Sequence, residues 1–245
     1  MNKKRIKPVE PKNKKQKEFL NAITELPVVF AVGSAGSGKT FLAASQAYHY
    51  LSFDFVDRIV IVRPAIATED LGYLPGDMKE KLDPYLLPLM DAFSDLSNPK
   101  MVQDLVHEGV IEVAALAFMR GRTFNNAFII LDEAQNTTID QMKMFLTRFG
   151  ENVKVVITGD PTQSDIAGEN GLQWAVKKLK HCKSVAVIQY ENKDVVRSAL
   201  VRDILNHLER NDKQSISIPN SEEDTVGDLP DFIRTAINIP ASVDN

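Results

Sequence analysis

The chain has 245 residues, of which 44% are hydrophobic and 25% are charged, and its formal net charge is −4. These proportions are ordinary for a globular protein and exclude a fibrous or wholly disordered chain. Cys182 is the one cysteine, so an intrachain disulfide is excluded. The N-terminal residues lack the apolar core of a secretory signal, and no run of about 18 apolar residues occurs, so we expect a cytoplasmic protein without a membrane span.

Charge is distributed unevenly along the chain. Residues 1–10 are predicted to form a basic flexible arm, which either binds phosphate backbones or remains a solvated terminus. Residues 11–210 are predicted to form one folded domain, and 211–245 a polar, acidic and mobile tail.

Apolar runs rich in Val and Ile alternate with helical patterns. The predicted strands are 26–32, 57–64, 111–116, 127–133, 154–160 and 185–190. The predicted helices are 14–23, 39–51, 77–93, 99–108, 138–149, 171–179 and 195–210, and three prolines within 70–93 indicate a helical insertion. Continuous apolar strands are typical of a parallel sheet that is covered on both faces. The pattern therefore predicts a doubly wound α/β fold with a mainly parallel sheet.

A glycine-rich loop follows the first predicted strand and reads GSAGSGKT. Glycines let backbone N–H groups approach phosphates, and the N-terminus of the following helix attracts anions. Lys39 is predicted to contact the β- and γ-phosphates of a nucleotide, and Thr40 to hold Mg²⁺. The predicted nucleotide-binding residues of the loop are Gly33, Ser34, Ala35, Gly36, Ser37, Gly38, Lys39 and Thr40.

Two carboxylates follow the fourth predicted strand, and a turn follows the fifth. Asp132 is predicted to belong to the Mg²⁺ shell, and Glu133 to orient and deprotonate the water that attacks the γ-phosphate. Gln163, in the turn GDPTQSD, is predicted to contact the γ-phosphate and the opposite side of the cleft. Because the carboxyl ends of parallel strands lie along one edge of a sheet, we expect Asp132, Glu133 and Gln163 to lie at the same edge as the glycine-rich loop.

The segments GSAGSGKT, IILDEAQN and ITGDPTQSD resemble motifs I, II and III of superfamily 1 helicases. A closer resemblance is to the PhoH-like family of phosphate-starvation-inducible ATPases, over about 11–210. It is carried by RPA, LGYLPGD, KLDPYLLPL, MRGRTF and LDEAQN, which begin at Arg63, Leu71, Lys81, Met119 and Leu131. The resemblance implies a RecA-like P-loop ATPase that uses ATP and Mg²⁺.

The same resemblance implies roles for further residues. Gln16 resembles the glutamine of a Q motif, which would read adenine and favour ATP over GTP. Arg197 resembles an arginine finger, with Arg202 as a second candidate. Arg63 corresponds to a position that contacts a nucleic-acid backbone. Arg120 and Arg122 would contact nucleotide, nucleic acid or a neighbouring subunit.

Superfamily 1 helicases hold ATP between two domains, whereas this sequence has one phosphate loop and too little chain for a second lobe. Arg197 would then be presented by another subunit, so we expect a homo-oligomer, such as a hexameric ring, with composite active sites. The sequence upstream of Gln16 is too short for the PIN-type nuclease domain that some family members carry.

These patterns predict a Mg²⁺-dependent ATPase that couples ATP hydrolysis to remodelling of RNA or single-stranded DNA, with helicase-like activity as one form. The alternative is a nucleotide-gated interaction module without a nucleic-acid substrate. A metabolic phosphotransferase is less favoured, because Glu133 is suited to activate water and no acceptor pocket is evident.

Overall fold

The structure is a computed structural model that describes residues 9–64, 92–93, 96, 98–196, 201 and 204. The chain divides into two compact units, Met1–Arg197 and Ser198–Asn245. Val201 and Ile204, in the second unit, have helical backbone. Residues 1–8 of the predicted arm, most of the predicted insertion at 70–93, most of the predicted helix at 195–210 and the predicted tail at 211–245 lie outside the described residues.

The first unit alternates strands and helices. Its strands are β1 (Val28–Gly33), β2 (Arg58–Arg63), β3 (Ile111–Ala115), β4 (Ala127–Leu131), β5 (Val153–Gly159) and β6 (Val185–Tyr190). Its described helices are α1 (Lys14–Glu25), α2 (Lys39–Ser52), α3 (Pro99–His107), α4 (Ile139–Leu146) and α5 (Gly171–Leu179). Short 3₁₀ turns span Leu116–Met119, Ala134–Asn136, Pro161–Gln163 and Asn192–Asp194.

The strands form one six-stranded sheet in the order β3-β2-β4-β5-β1-β6. Every pairing in it is parallel, so the strands' carboxyl ends lie along one edge. β1 lies between β5 and β6, and β4 lies between β2 and β5. This order brings the segments that follow β1, β4 and β5 beside one another.

Helices cover both faces of the sheet. Alternate strand residues, such as Ile59 and Ile61, pack with side chains of α1, α2 and α3 in one core cluster. The intervening residues, such as Val60 and Val62, pack with α4 and α5 in a second cluster. The central strands are therefore buried on both sides, which explains their continuous apolar sequence. The predicted doubly wound α/β architecture is confirmed, and the sheet is parallel in all its described pairings.

Helix α4 is shorter than the predicted 138–149. It begins with a capping box between Thr138 and Gln141 and ends at Leu146. Beyond that point Phe149 pairs with Phe124 in an isolated parallel bridge and packs edge-on against Phe145, with ring centroids 5.2 Å apart. A contact distant in sequence therefore ends this helix early.

Helices long and apolar enough to cross a bilayer do not occur in the described part of the chain.

Candidate active site

The glycine-rich loop joins β1 to α2 at the carboxyl edge of the sheet. Gly36 and Gly38 have left-handed backbone, with φ of 78° and 82°. Gln16 reaches this loop from α1: its side chain is buried, and Nε2 donates to the Ser37 carbonyl oxygen at 2.9 Å. Its Oε1 accepts from the Lys12 amide at 2.7 Å. Gln16 therefore connects α1 directly to the loop.

Lys39, the first residue of α2, lies folded against the loop and is only 7% exposed. Its ammonium group donates to the carbonyl oxygens of Gly33 at 2.6 Å and Ser34 at 2.8 Å, and to Ser37 Oγ at 3.2 Å. Burial lowers the pKa of Lys39, and the nearby Asp160 and Asp132 carboxylates oppose that shift. The loop thus contains a partly desolvated cation that contacts carbonyl and hydroxyl oxygens and has carboxylates nearby.

Asp132 follows β4 directly, and its carboxylate is almost fully buried. Oδ1 accepts hydrogen bonds from the hydroxyl groups of Thr40 at 2.9 Å and Thr158 at 2.6 Å. Oδ2 accepts from Arg63 Nη2 at 2.6 Å. The structure therefore brings Thr40 and Asp132, the two predicted metal ligands, into contact, and it adds Thr158 and Arg63 to them.

Glu133 has left-handed backbone, with φ of 56°, and immediately precedes the turn Ala134–Asn136. Gln135, which is 1% exposed, donates through Nε2 to Glu133 Oε2 at 2.6 Å. The Asp160 amide donates to Gln135 Oε1 at 3.0 Å. Gln135 thus bridges the carboxylate of Glu133 to the end of β5.

The Asp160 carboxylate continues this network to the phosphate loop. Its Oδ2 accepts from the Ala35 amide at 3.2 Å, and its Oδ1 from the Thr162 amide and hydroxyl at 3.0 and 2.7 Å. Gln135, Asp160 and Thr158 were not among the predicted site residues. The position of Gln135, two residues after Glu133 in the chain, is a local feature from which its contact with Glu133 could have been predicted. The contacts of Asp160 and Thr158 could not have been, because they depend on the order of the strands in the sheet.

Most of the predicted site residues line an open cavity of about 260 Å³. Its lining includes Lys39, Thr40, Asp132, Glu133, Asp160 and Gln163. Gln163 ends the turn Pro161–Gln163 and is exposed. Gln16 contacts the loop from α1 and is not part of this lining. Residues from three separate segments therefore converge where a nucleotide's phosphates would fit.

The donors around Asp132 fit Mg²⁺, because hydroxyl and carboxylate oxygens are its preferred protein ligands. Mg²⁺ is usually held by one or two side chains together with phosphate oxygens. Thr40 and Asp132 supply such a pair next to the loop.

The predicted arginines occupy different places. Arg63 contacts Asp132, whereas Arg122 is paired with Glu112, Nη2 to Oε2 at 2.8 Å, and lies over the Phe124 ring at 4.7 Å. Arg120, two residues before Arg122 in the chain, is exposed. Arg197 and Arg202 lie outside the described residues.

Comparison with known sequences identifies one family. The model of the family described as PhoH-like protein matches residues 8–209. A PhoH-like protein of Mycobacterium leprae is 51% identical over 205 residues, which cover 82% of this chain and 59% of that protein. Protein PhoH of Escherichia coli K12 is 43% identical over 204 residues, covering 81% and 58% of the two chains. The chain thus spans about three-fifths of the length of these relatives.

Solved structures with a similar fold include a bacteriophage terminase. The large terminase of a thermophilic bacteriophage superposes with a TM-score of 0.51 at 12% identity, covering 81% of this chain and 50% of that one. A second crystal form of that terminase, in complex with ADP, gives the same TM-score and covers 80% and 49%. The likeness extends to the fold, which is that of P-loop NTPases with a RecA-like sheet.

Proposed function

The chain belongs to the PhoH-like family, and on that premise we propose that it is a Mg²⁺-dependent ATPase that couples ATP hydrolysis to remodelling of RNA or single-stranded DNA. The observation that carries the proposal is the convergence of Lys39, Thr40, Asp132, Glu133 and Gln163 on one cavity. A loop that merely capped a helix would not need a buried lysine and two carboxylates beside it.

In this proposal the phosphate loop binds ATP through its backbone N–H groups and the N-terminus of α2. Lys39 exchanges its carbonyl partners in the loop for the β- and γ-phosphate oxygens. The amide of Ala35 similarly exchanges the Asp160 carboxylate for phosphate. Gln16 favours adenine over guanine from its position between α1 and the loop.

Hydrolysis in this proposal is in-line attack of water on the γ-phosphorus, which breaks its bond to the β–γ bridging oxygen and releases ADP and inorganic phosphate. Glu133 accepts a proton from the water, and Gln135 holds the Glu133 carboxylate in the orientation that this requires. Thr40 and Asp132 would hold Mg²⁺, which supplies positive charge to the phosphates when bound. Gln163 contacts the γ-phosphate from the rim, and Arg197 of a neighbouring subunit offsets the developing negative charge.

Two exposed side chains support a nucleic-acid substrate. Phe118 is 50% exposed in the turn after β3, and Arg120 is exposed two residues later, at the same sheet edge as the cavity. An aromatic ring next to a guanidinium is the combination that binds single strands by stacking and phosphate contact.

Steady-state ATP hydrolysis with and without RNA or single-stranded DNA tests the proposal. We expect RNA or single-stranded DNA to stimulate ATP hydrolysis. The affinity of the protein for these strands should weaken as the salt concentration rises. Phe118→Ser should reduce the stimulation, whereas Phe55→Ser, which alters an exposed ring before β2 at the opposite sheet edge, should not. Hydrolysis that responds to neither nucleic acid would favour the alternative, a nucleotide-gated interaction module.

A further inference from the structure

The proposed ATPase mechanism assigns no role to the ion pair between Arg63 and Asp132. β2 and β4 are neighbours in the sheet, with Val62 opposite Leu131, and the Asp132 amide donates to the Val62 carbonyl oxygen at 3.0 Å. Arg63 therefore ends its strand directly beside Asp132. Their side chains meet at 2.6 Å, and they are 17% and 3% exposed respectively.

The two carboxylate oxygens of Asp132 have chemically different partners. Neutral hydroxyl groups of Thr40 and Thr158 bind Oδ1, and the guanidinium of Arg63 binds Oδ2. A carboxylate buried this deeply requires a counter-charge, because leaving it unpaired would be strongly destabilising. In this structure Arg63 supplies that charge by direct contact, and the Lys39 ammonium group interacts with the carboxylate from farther away.

A divalent cation on Thr40 and Asp132 would satisfy the same carboxylate. Even if the cation took Oδ1 and Arg63 kept Oδ2, the two positive groups would share one carboxylate and repel each other in a buried site. We propose that Arg63 is a positioning residue that competes with Mg²⁺ for Asp132. It orients the carboxylate for the metal and is displaced as the metal binds.

This proposal rests on the proposed function, which assigns Mg²⁺ to Thr40 and Asp132. Its consequence is a coupling between the metal site and the end of β2. Arg63 is the last residue of that strand, and the chain leaves the sheet at Pro64. Binding of the cation would therefore release a side-chain contact at the point where the chain leaves the sheet.

Titration of the full chain with Mn²⁺ in the presence of ADP, followed by the loss of the free-ion electron paramagnetic resonance signal, tests the competition. We expect Arg63→Gln to bind Mn²⁺ about tenfold more tightly than wild type, within the usual range for coupling between two sites. The matched control is Arg58→Gln, which removes the same charge at the opposite end of β2, about 16 Å away. Its Mn²⁺ affinity should equal that of wild type.

Thermal unfolding gives a second readout. Arg63→Gln should melt below wild type without metal, because Asp132 loses the cation that contacts it, and should gain more in Tm from Mn²⁺ and ADP. A purely structural Arg63 would lower Tm by the same amount in both conditions, which would overturn the proposal.

Wild-type protein that binds no Mn²⁺ with ADP would overturn the metal site and the competition together. Wild type that binds Mn²⁺ while Arg63→Gln binds it no more tightly would overturn the competition alone. Should Arg63→Gln fail to fold, Arg63→Lys is titrated in its place. Its shorter side chain keeps a positive charge near Asp132 but makes a weaker contact with the carboxylate, so it should compete less with the metal than arginine does. An affinity no tighter than wild type then overturns the proposal.

Discussion

The position of the Glu133 side chain is set by its own backbone conformation and by a hydrogen bond from a neighbouring side chain. Its left-handed φ of 56° turns the chain away from β4, and the Gln135 amide holds its carboxylate at 2.6 Å. Since Gln135 also accepts from the Asp160 amide, the position of the proposed base depends on the end of β5. A catalytic group held in this way has little freedom to leave its productive orientation.

Replacing Gln135 by methionine tests this positioning role. The variant keeps the side chain's approximate volume but removes the hydrogen bonds to Glu133 and Asp160. We expect kcat to fall roughly 10- to 100-fold, because misplacing a reacting group by about 1 Å costs on that order. The KM for ATP and the binding of ADP should change little. Gln103→Met, at an exposed position of α3, should leave both constants unchanged, and a rise in KM with normal kcat for Gln135→Met would refute the role.

Lys39 is predicted to be essential for turnover but not for folding. Lys39→Ala should lower hydrolysis by roughly 10²-fold or more, because it removes a charge aimed at the transferred phosphate. Lys154→Ala is the matched control: Lys154 Nζ also donates to a backbone carbonyl, that of Leu26 at 2.8 Å, and burial also lowers its pKa. Lys154 lies near the start of β5, at the sheet's opposite edge, so its loss should affect Tm and not kcat. Turnover retained in folded Lys39→Ala would exclude the mechanism.

The sequence predicted the residues whose chemistry is local and missed those whose partners come from other strands. Lys39 and Thr40 were predictable because a short pattern between a strand and a helix defines them. Thr158 was not, because its contact with Asp132 depends on β5 lying beside β4. Arg63 was predicted as a nucleic-acid contact, and its engagement with Asp132 depends on the pairing of β2 with β4.

Among the secondary-structure elements, β1 and the phosphate loop are joined at a tightly constrained position. Gly33 has φ of 133°, and a Cβ placed on it would lie 2.1 Å from the Tyr190 carbonyl oxygen at the end of β6. Tyr190 is itself buried, and its ring packs edge-on with Phe19 of α1 at 6.2 Å. Backbone lies on both sides of the contact, so the clash could not be relieved by a side-chain rotation.

Gly33→Ala should therefore be strongly destabilising, with Gly109→Ala as its control. Gly109 also has positive φ, 72°, but nothing lies within 4 Å of the added Cβ, so we expect only backbone strain of about 1–2 kcal/mol. Gly33→Ala adds the clash with Tyr190 and should cost more than about 3 kcal/mol. Urea unfolding followed by circular dichroism measures both. Equal losses would mean that β6 moves freely to make room.

The elements themselves were largely predictable because buried parallel strands have a strong apolar signal. The predicted strand at 185–190 coincides with β6, and the predicted helix at 171–179 coincides with α5. The predicted strand at 127–133 extends two residues too far, since β4 ends at Leu131. That difference places Asp132 and Glu133 beyond the sheet, where side chains from neighbouring segments can reach them. The 3₁₀ turns were missed because contacts between segments stabilise them.

At the scale of the whole molecule, the described unit has one sheet and one phosphate loop. The cavity is lined from the segments after β1, β4 and β5, and it is open. A second surface is therefore needed to enclose the γ-phosphate. We propose that this surface belongs to a neighbouring copy in a homo-oligomer, such as a hexameric ring, and that it carries Arg197.

Mixing two inactive variants tests the composite site. Arg197→Ala should lack the finger, and Glu133→Gln should lack the base, so each alone should hydrolyse ATP poorly. In mixed oligomers some sites combine an intact Glu133 with an intact Arg197 from the next subunit. We expect activity to recover on mixing, with a mass that corresponds to an oligomer. Variants that stay inactive after subunit exchange, or a fully active monomer, would contradict the arrangement.

The most direct measurement is phosphate release from ATP by wild type and by Glu133→Gln, made beside nucleotide binding. We expect wild type to turn over ATP only with Mg²⁺. Glu133→Gln should bind ATP normally and hydrolyse it roughly 10²-fold or more slowly, the usual scale for losing a general base. Wild type that binds ATP without hydrolysing it, or Glu133→Gln that hydrolyses it at the wild-type rate, would show that the site is not a Glu133-dependent ATPase.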